Sequence, residues 1–216
     1  MRTPKAIYKH ASEPQIVTPT IKSPSDYNRD VPLAERQHMV AHELGHFYQA
    51  QRLVGVNLDV TFGYHYADSN DAVATRALIR APDGKCIVQS RTHGAAFVDR
   101  LADLVACGIL DDYTATRYSF CRILGGGQME EALYGESRGD SDDLQLLRFR
   151  LRQTPLSESD QRILEDDIRT EVQRSLTPYV LQKVRCAVSV LVREHFNGQR
   201  TSGDVIHKIM EGCQHD

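Results

Sequence analysis

The chain has 216 residues, of which 41% are hydrophobic and 25% charged, with a formal net charge of −3. That composition belongs to one soluble globular domain with a substantial core, and the charge gives no electrostatic reason to bind nucleic acid or an anionic membrane. No apolar run reaches the ~18 residues of a membrane span, and Arg2 and Lys5 are not followed by the apolar stretch of a secretory signal.

Residues 1–31 hold Pro4, Pro14, Pro19 and Pro24 among polar residues without periodicity, and read as a flexible N-terminal arm; 32–216 reads as the folded domain. Pro32 to Leu53 follows as a helix, with Pro32 in the first turn, Asp30 as a cap and Gly55 as the stop. Asn57 to Tyr64 alternates as a strand, and Thr75 to Arg80 and Lys85 to Ser90 flank the Pro82-Asp83-Gly84 turn as a hairpin. Ala95 to Leu110 and Tyr113 to Leu124 are amphipathic helices divided by Asp111-Asp112. Gly125-Gly126-Gly127 then reads as a turn between helices that must pack closely. A polar loop from Gly135 to Asp140 precedes a helix from about Ser141 to Gln153. Ser157 caps a further helix in which Leu164, Ile168, Val172 and Leu176 recur every fourth residue; Pro178 opens the next, which ends at Asn197-Gly198. A short helix from Gly203 to Met210 closes the chain. The predicted class is mainly α with a small β-sheet (α+β). Cys86, Cys107, Cys121, Cys186 and Cys213 are odd in number, scattered and never spaced C-x-x-C, so they read as free reduced thiols of a cytoplasmic protein.

The chemistry concentrates in His42-Glu43-Leu44-Gly45-His46. Residues four apart on a helix share a face, so His42 and His46 present two imidazoles to one zinc ion while Glu43 stands ready as a general base. His38 extends the series but lies roughly 12 Å along the axis from His46 at ~1.5 Å per residue, too far to share the ion from a straight helix. It reads as a rim or supporting residue. The third ligand has two acidic sources, the Asp140-Ser141-Asp142-Asp143 cluster and Glu130-Glu131. Read from the residues alone, helix-end capping is the favoured account of the first, and a solvated helix face of the second.

Three segments together carry a resemblance to the peptidase domain of FtsH-type AAA zinc proteases. Val40-Ala41-His42-Glu43-Leu44-Gly45-His46 is similar to that family's A-x-H-E-A-G-H helix. Gly125-Gly126-Gly127-Gln128-Met129-Glu130-Glu131-Ala132-Leu133-Tyr134-Gly135 resembles its G-G-R-x-A-E-E-x-x-Y-G segment, and Gly139-Asp140-Ser141-Asp142-Asp143-Leu144 its T-G-A-S-N-D-I. The resemblance implies an FtsH-like fold over roughly residues 33–212, one Zn²⁺ per chain held by His42, His46 and Asp143, Glu43 as general base, and Glu130 orienting a ligand histidine. It also implies a polypeptide substrate lying along a strand edge, for which Lys85, Cys86, Ile87 and Val88 are the expected residues.

Ring assembly in the family allows a homo-oligomer here, and the lack of an ATPase module or membrane anchor in this sequence allows a separate unfoldase or adaptor as partner. Leu44 and Phe47 replace small residues of the family pattern, which suggests a differently packed or narrower site. The longer 65–110 connection suggests a lid or partner surface. The leading expectation is an ATP-independent zinc endopeptidase acting on unfolded or flexible polypeptides. The alternatives are a zinc scaffold that binds without turnover and a peptidase dedicated to one partner.

Overall fold

A computed structural model describes residues 22–67, 79–80 and 85–213. The first described element, α1 (Pro24–Asp30), lies inside the stretch read as a flexible arm. Ser23 caps it through a reciprocal pair with Asp26, and Pro24 fills its first turn, where a missing N–H costs nothing. Asn28 then anchors it: its side-chain amide donates to the Tyr64 carbonyl at 2.8 Å and its carbonyl oxygen accepts the Tyr64 N–H. This part of the arm therefore belongs to the folded body; residues 1–21 lie outside the described residues.

The central element is α2 (Leu33–Val54), which begins after Pro32 with no side-chain cap, Asp30 being the last residue of α1. It stops at Gly55, whose φ of 70° is the left-handed closure that glycine permits. Next come the short strands β1 (Val60–Thr61), β2 (His65–Tyr66), β3 (Ile79–Arg80), β4 (Cys86–Val88) and β5 (Arg91–Thr92). Helices α3 (Ala95–Ala106), α4 (Asp112–Tyr134), α5 (Asp140–Leu151), α6 (Glu158–Ser175) and α7 (Pro178–Glu194) follow, then β6 (Arg200–Thr201) and α8 (Gly203–Gly212). Ser157 caps its helix as expected, and Asp111 and Thr177 do the same for theirs, each accepting a backbone N–H of the first turn it precedes.

The strands form two antiparallel three-stranded sheets, ordered β5-β1-β6 and β2-β4-β3. In the first, Val60 pairs with Thr92 on one side and Thr201 on the other. In the second, Ile87 pairs with both Tyr66 and Ile79. The expected hairpin is thus present in its pairing, while its turn, 81–84, and residues 68–78 of the expected lid lie outside the described residues.

The triple glycine departs from its expected role as a turn. Gly125, Gly126 and Gly127 lie buried in the middle of an unbroken α4, where each costs about 1 kcal/mol of helix propensity relative to alanine. Close approach to α2 explains the first of them: a Cβ on Gly45 would stand 2.1 Å from the Gly125 carbonyl oxygen, and a Cβ on Gly125 2.7 Å from the Gly45 carbonyl oxygen. Two helix backbones in contact leave no room for any side chain between them. The packing half of the expectation holds; the turn half does not.

Leu44 and Phe47 are fully buried in the main core, with Val40, Leu58, Val60, Phe62, Val188 and Leu191, so of the two expected consequences they serve the packing of the interior. A second core joins the first half of α4 to α5 and α6 through Phe120, Leu147, Leu164, Ile168 and Val172. The cysteine expectation is also corrected. Cys186 of α7 and Cys213 just past α8 form a disulfide, their Cα atoms 5.8 Å apart, because the two helices pack together. Cys86, Cys107 and Cys121 are free. Unpaired thiols therefore no longer argue for a reducing compartment. Among the described residues no helix is long and apolar enough to cross a membrane.

Candidate metal centre

His42 and His46 lie one turn apart on α2, on the flank that faces the glycines of α4. Their Nε2 atoms are 3.1 Å apart. Asp143, in the first turn of α5, brings Oδ2 to 3.0 Å from His42 Nε2 and 3.1 Å from His46 Nε2. A helix N-terminus favours a carboxylate, so the capping reading of the acidic cluster and the ligand reading are compatible. Asp143, which neighbours Glu130-Glu131 in neither sequence nor helix, is the member of the two acidic sources that joins the histidines.

The other imidazole nitrogens decide what these Nε2 atoms can do. His42 Nδ1 donates to Glu130 Oε2 at 3.1 Å, and His46 Nδ1 donates to the Arg122 backbone carbonyl at 2.8 Å. Both partners are acceptors, so both rings carry a proton on Nδ1 and turn Nε2 toward the same point. Two Nε2 atoms and a carboxylate oxygen this close need a positive charge among them, which a proton or a metal ion can supply. Their separations of 3.0–3.1 Å put each atom about 1.8 Å from the centre of the triangle (side divided by √3), within reach of the ~2.0–2.2 Å bonds that nitrogen and carboxylate oxygen make to zinc. The residues therefore form a set able to hold a divalent metal ion.

Glu130 is almost fully buried and saturated. Besides His42, its Oε2 accepts from the Ser137 hydroxyl at 3.0 Å and the backbone N–H groups of Gly139 and Arg138 at 3.1 and 3.3 Å. Its Oε1 accepts from His38 Nδ1 at 3.2 Å. Glu130 thus fixes the His42 tautomer, as a carboxylate behind a metal-ligating histidine does, and His38 supports Glu130 without joining the ligand set. The ring of His38 also packs on Tyr134, with centroids 4.4 Å apart.

Electrostatics report the same concentration of negative charge. Burial alone would lower the His42 pKa, but hydrogen bonds and charge from Asp143 and Glu130 outweigh it and push the imidazolium up to about 10. Burial would raise the Asp143 carboxyl; His46 and His42 outweigh that and hold it well below the usual carboxylate range. Glu130 is likewise lowered against its burial, by His42, the Gly139 N–H and Ser137.

Glu43 lies beside the pair, buried, with its Oε2 accepting the Thr92 hydroxyl at 2.6 Å. Thr92 is on β5, whose strand partner among the described residues is β1 alone. Lys85 to Val88, the expected substrate edge, is not one. Cys86–Val88 is the middle strand of the second sheet, hydrogen-bonded on both sides, and its backbone has no room for a third chain.

Sequence reasoning missed Thr92, Gly126 and the Arg122 carbonyl. A Cβ on Gly126 would stand 2.7 Å from the Nε2 atoms of both His42 and His46, so α4 reaches the ligands only because that residue has no side chain. The glycine run was a visible signal for this approach; Thr92 offered none, because a β-strand threonine is ordinary. Compared with protein-family profiles, with curated sequences and with solved structures, the chain matches none of them.

Proposed function

We propose that this protein is a zinc-dependent endopeptidase of the FtsH type, hydrolysing peptide bonds in unfolded or flexible polypeptides. One observation carries the reading: two Nδ1-protonated histidines and one carboxylate converge on a single point beside a glutamate held in place by its own hydrogen bond. A set of two nitrogens and one oxygen is typical of catalytic zinc, which keeps a further position open and supplies Lewis acidity to the reaction. A purely structural zinc site would need neither Glu43 nor an open position.

In the proposed cycle Glu43 takes a proton from the attacking water and passes it to the leaving amine. The Thr92 hydroxyl, donating to Glu43 Oε2, aims the carboxylate and leaves Oε1 free for that proton. Glu130 and the Arg122 carbonyl hold the ligand rings with Nε2 turned toward the metal position. The substrate backbone would run along the side of β5 away from β1, which brings its scissile bond past Thr92 and Glu43.

The test is zinc content and cleavage of an unstructured protein such as casein, for the native chain and Glu43→Gln. Both should hold one zinc per chain, and the variant should lose at least about 100-fold in cleavage rate. Bound zinc without Glu43-dependent cleavage of any peptide would sink the peptidase reading. Failure of either protein to bind zinc would sink the metal assignment as well.

A further inference from the structure

Arg122 has a side chain that the proposed mechanism does not use. Its backbone carbonyl holds His46, while its guanidinium leaves α4 for the start of α3. There it lies over the Phe97 ring, 5.4 Å from the centroid, with both terminal nitrogens against Gly94, where a Cβ would meet them at 3.3–3.4 Å. Its Nε is shielded from solvent and has no hydrogen-bond partner. No carboxylate among the described residues lies within the 4.0 Å of an ion pair, and burial, joined by the charge of Arg150, lowers its pKa in spite of Asp143 and Glu43. A planar cation with five donors, packed on an aromatic face and lacking an anion, is an incomplete carboxylate site.

Its position says which carboxylate would complete it. Gly94 lies two residues beyond Thr92, at most about 7 Å away even if the chain between them were fully extended. That is the spacing of a substrate side chain one or two residues from the bond that Glu43 would attack.

The geometry points to Arg122 as a specificity residue that selects polypeptides carrying a carboxylate within two residues of the scissile bond. The carboxylate is supplied by an Asp or Glu side chain or by a free C-terminus. This inference rests on the peptidase reading, and it adds a substrate class to that reading. A guanidinium kept only to screen Asp143 and Glu43 would produce no such preference.

The experiment measures fluorescence-anisotropy binding of short labelled peptides to the zinc-loaded Glu43→Gln protein. The peptides are end-capped with Glu or Gln at each position flanking the cut site, together with the Gln peptide bearing a free C-terminal carboxylate. The expected result is a preference of about 50-fold for one carboxylate peptide over its capped Gln counterpart. Arg122→Gln should reduce that ratio to near one. Arg122→Lys keeps the charge but loses the planar fork and should fall between; it carries the test if Arg122→Gln does not fold by circular dichroism. A side-chain preference and a C-terminal preference each support the inference and identify the source. No preference, or one indifferent to Arg122, overturns it. Cleavage by the unmodified protein separates the two readings. Glu43-dependent cleavage without carboxylate preference sinks the inference and leaves the peptidase. Carboxylate-selective, Arg122-dependent binding without cleavage does the reverse.

Discussion

Gly126→Ala should cost the protein its metal while leaving its fold in place. The added Cβ would stand 2.7 Å from His42 Nε2 and from His46 Nε2. Ordinary contact requires about 3.4 Å, so each ring nitrogen must retreat by roughly 0.7 Å, more than three times the ~0.2 Å tolerance of a metal–ligand distance. The rings cannot comply by sliding, because their Nδ1 atoms are held by Glu130 and the Arg122 carbonyl. A loss of at least about 100-fold in zinc affinity follows, equivalent to ~2.7 kcal/mol. Without metal the outcome differs: alanine gains about 1 kcal/mol of helix propensity, set against ~1–3 kcal/mol of overpacking, so the metal-free protein should be destabilised by no more than ~2 kcal/mol. Competition against a chromophoric chelator gives the affinity, and thermal unfolding with and without zinc gives the stability. The native protein should gain melting temperature with zinc and the variant should not. Zinc affinity within threefold of native in a folded Gly126→Ala protein would refute the geometry from which the site is built.

Gly45→Ala tests the helix contact itself. Its Cβ would meet the Gly125 carbonyl oxygen at 2.1 Å, and backbone yields less than a side chain, so the variant should lose about 2–4 kcal/mol in urea unfolding; a neutral result would mean that α2 and α4 part freely. Asn28→Ala removes both hydrogen bonds to Tyr64 and should cost ~2 kcal/mol with α1 released to limited proteolysis, whereas unchanged protection would mean α1 is held by something else. His93 supplies a pH signature. Burial, then Arg200 and Arg91, lower its pKa to about 4, so between about 6.5 and 4 the unfolded chain binds a proton that the folded one refuses. Stability should therefore fall as pH drops through that window, and His93→Gln should flatten the fall in urea midpoints; parallel pH profiles for the two proteins would remove His93 as the cause.

Local chemistry determined much of this protein in advance of any structure. The four-residue spacing of His42 and His46, the cap at Ser157, and the every-fourth apolar residues of Leu164, Ile168 and Val172 are properties of a single helix. Each was legible because its cause lies within a few residues of itself. The readings that failed are those where the cause lies across the fold. Three consecutive glycines look like a turn until α2 lies against them, and then they are the one side-chain-free strip that lets two backbones touch and two imidazoles meet. Lys85 to Val88 looks like an open edge until β2 and β3 close on both sides of it. Cys186 and Cys213 look unpaired until α7 and α8 pack. Thr92 acquires a role only because β5 passes Glu43. Sequence specified which side chains were available for a metal and a base. Tertiary packing decided which of them meet, since convergence at 3 Å is a relation between helices that periodicity along any one of them cannot encode.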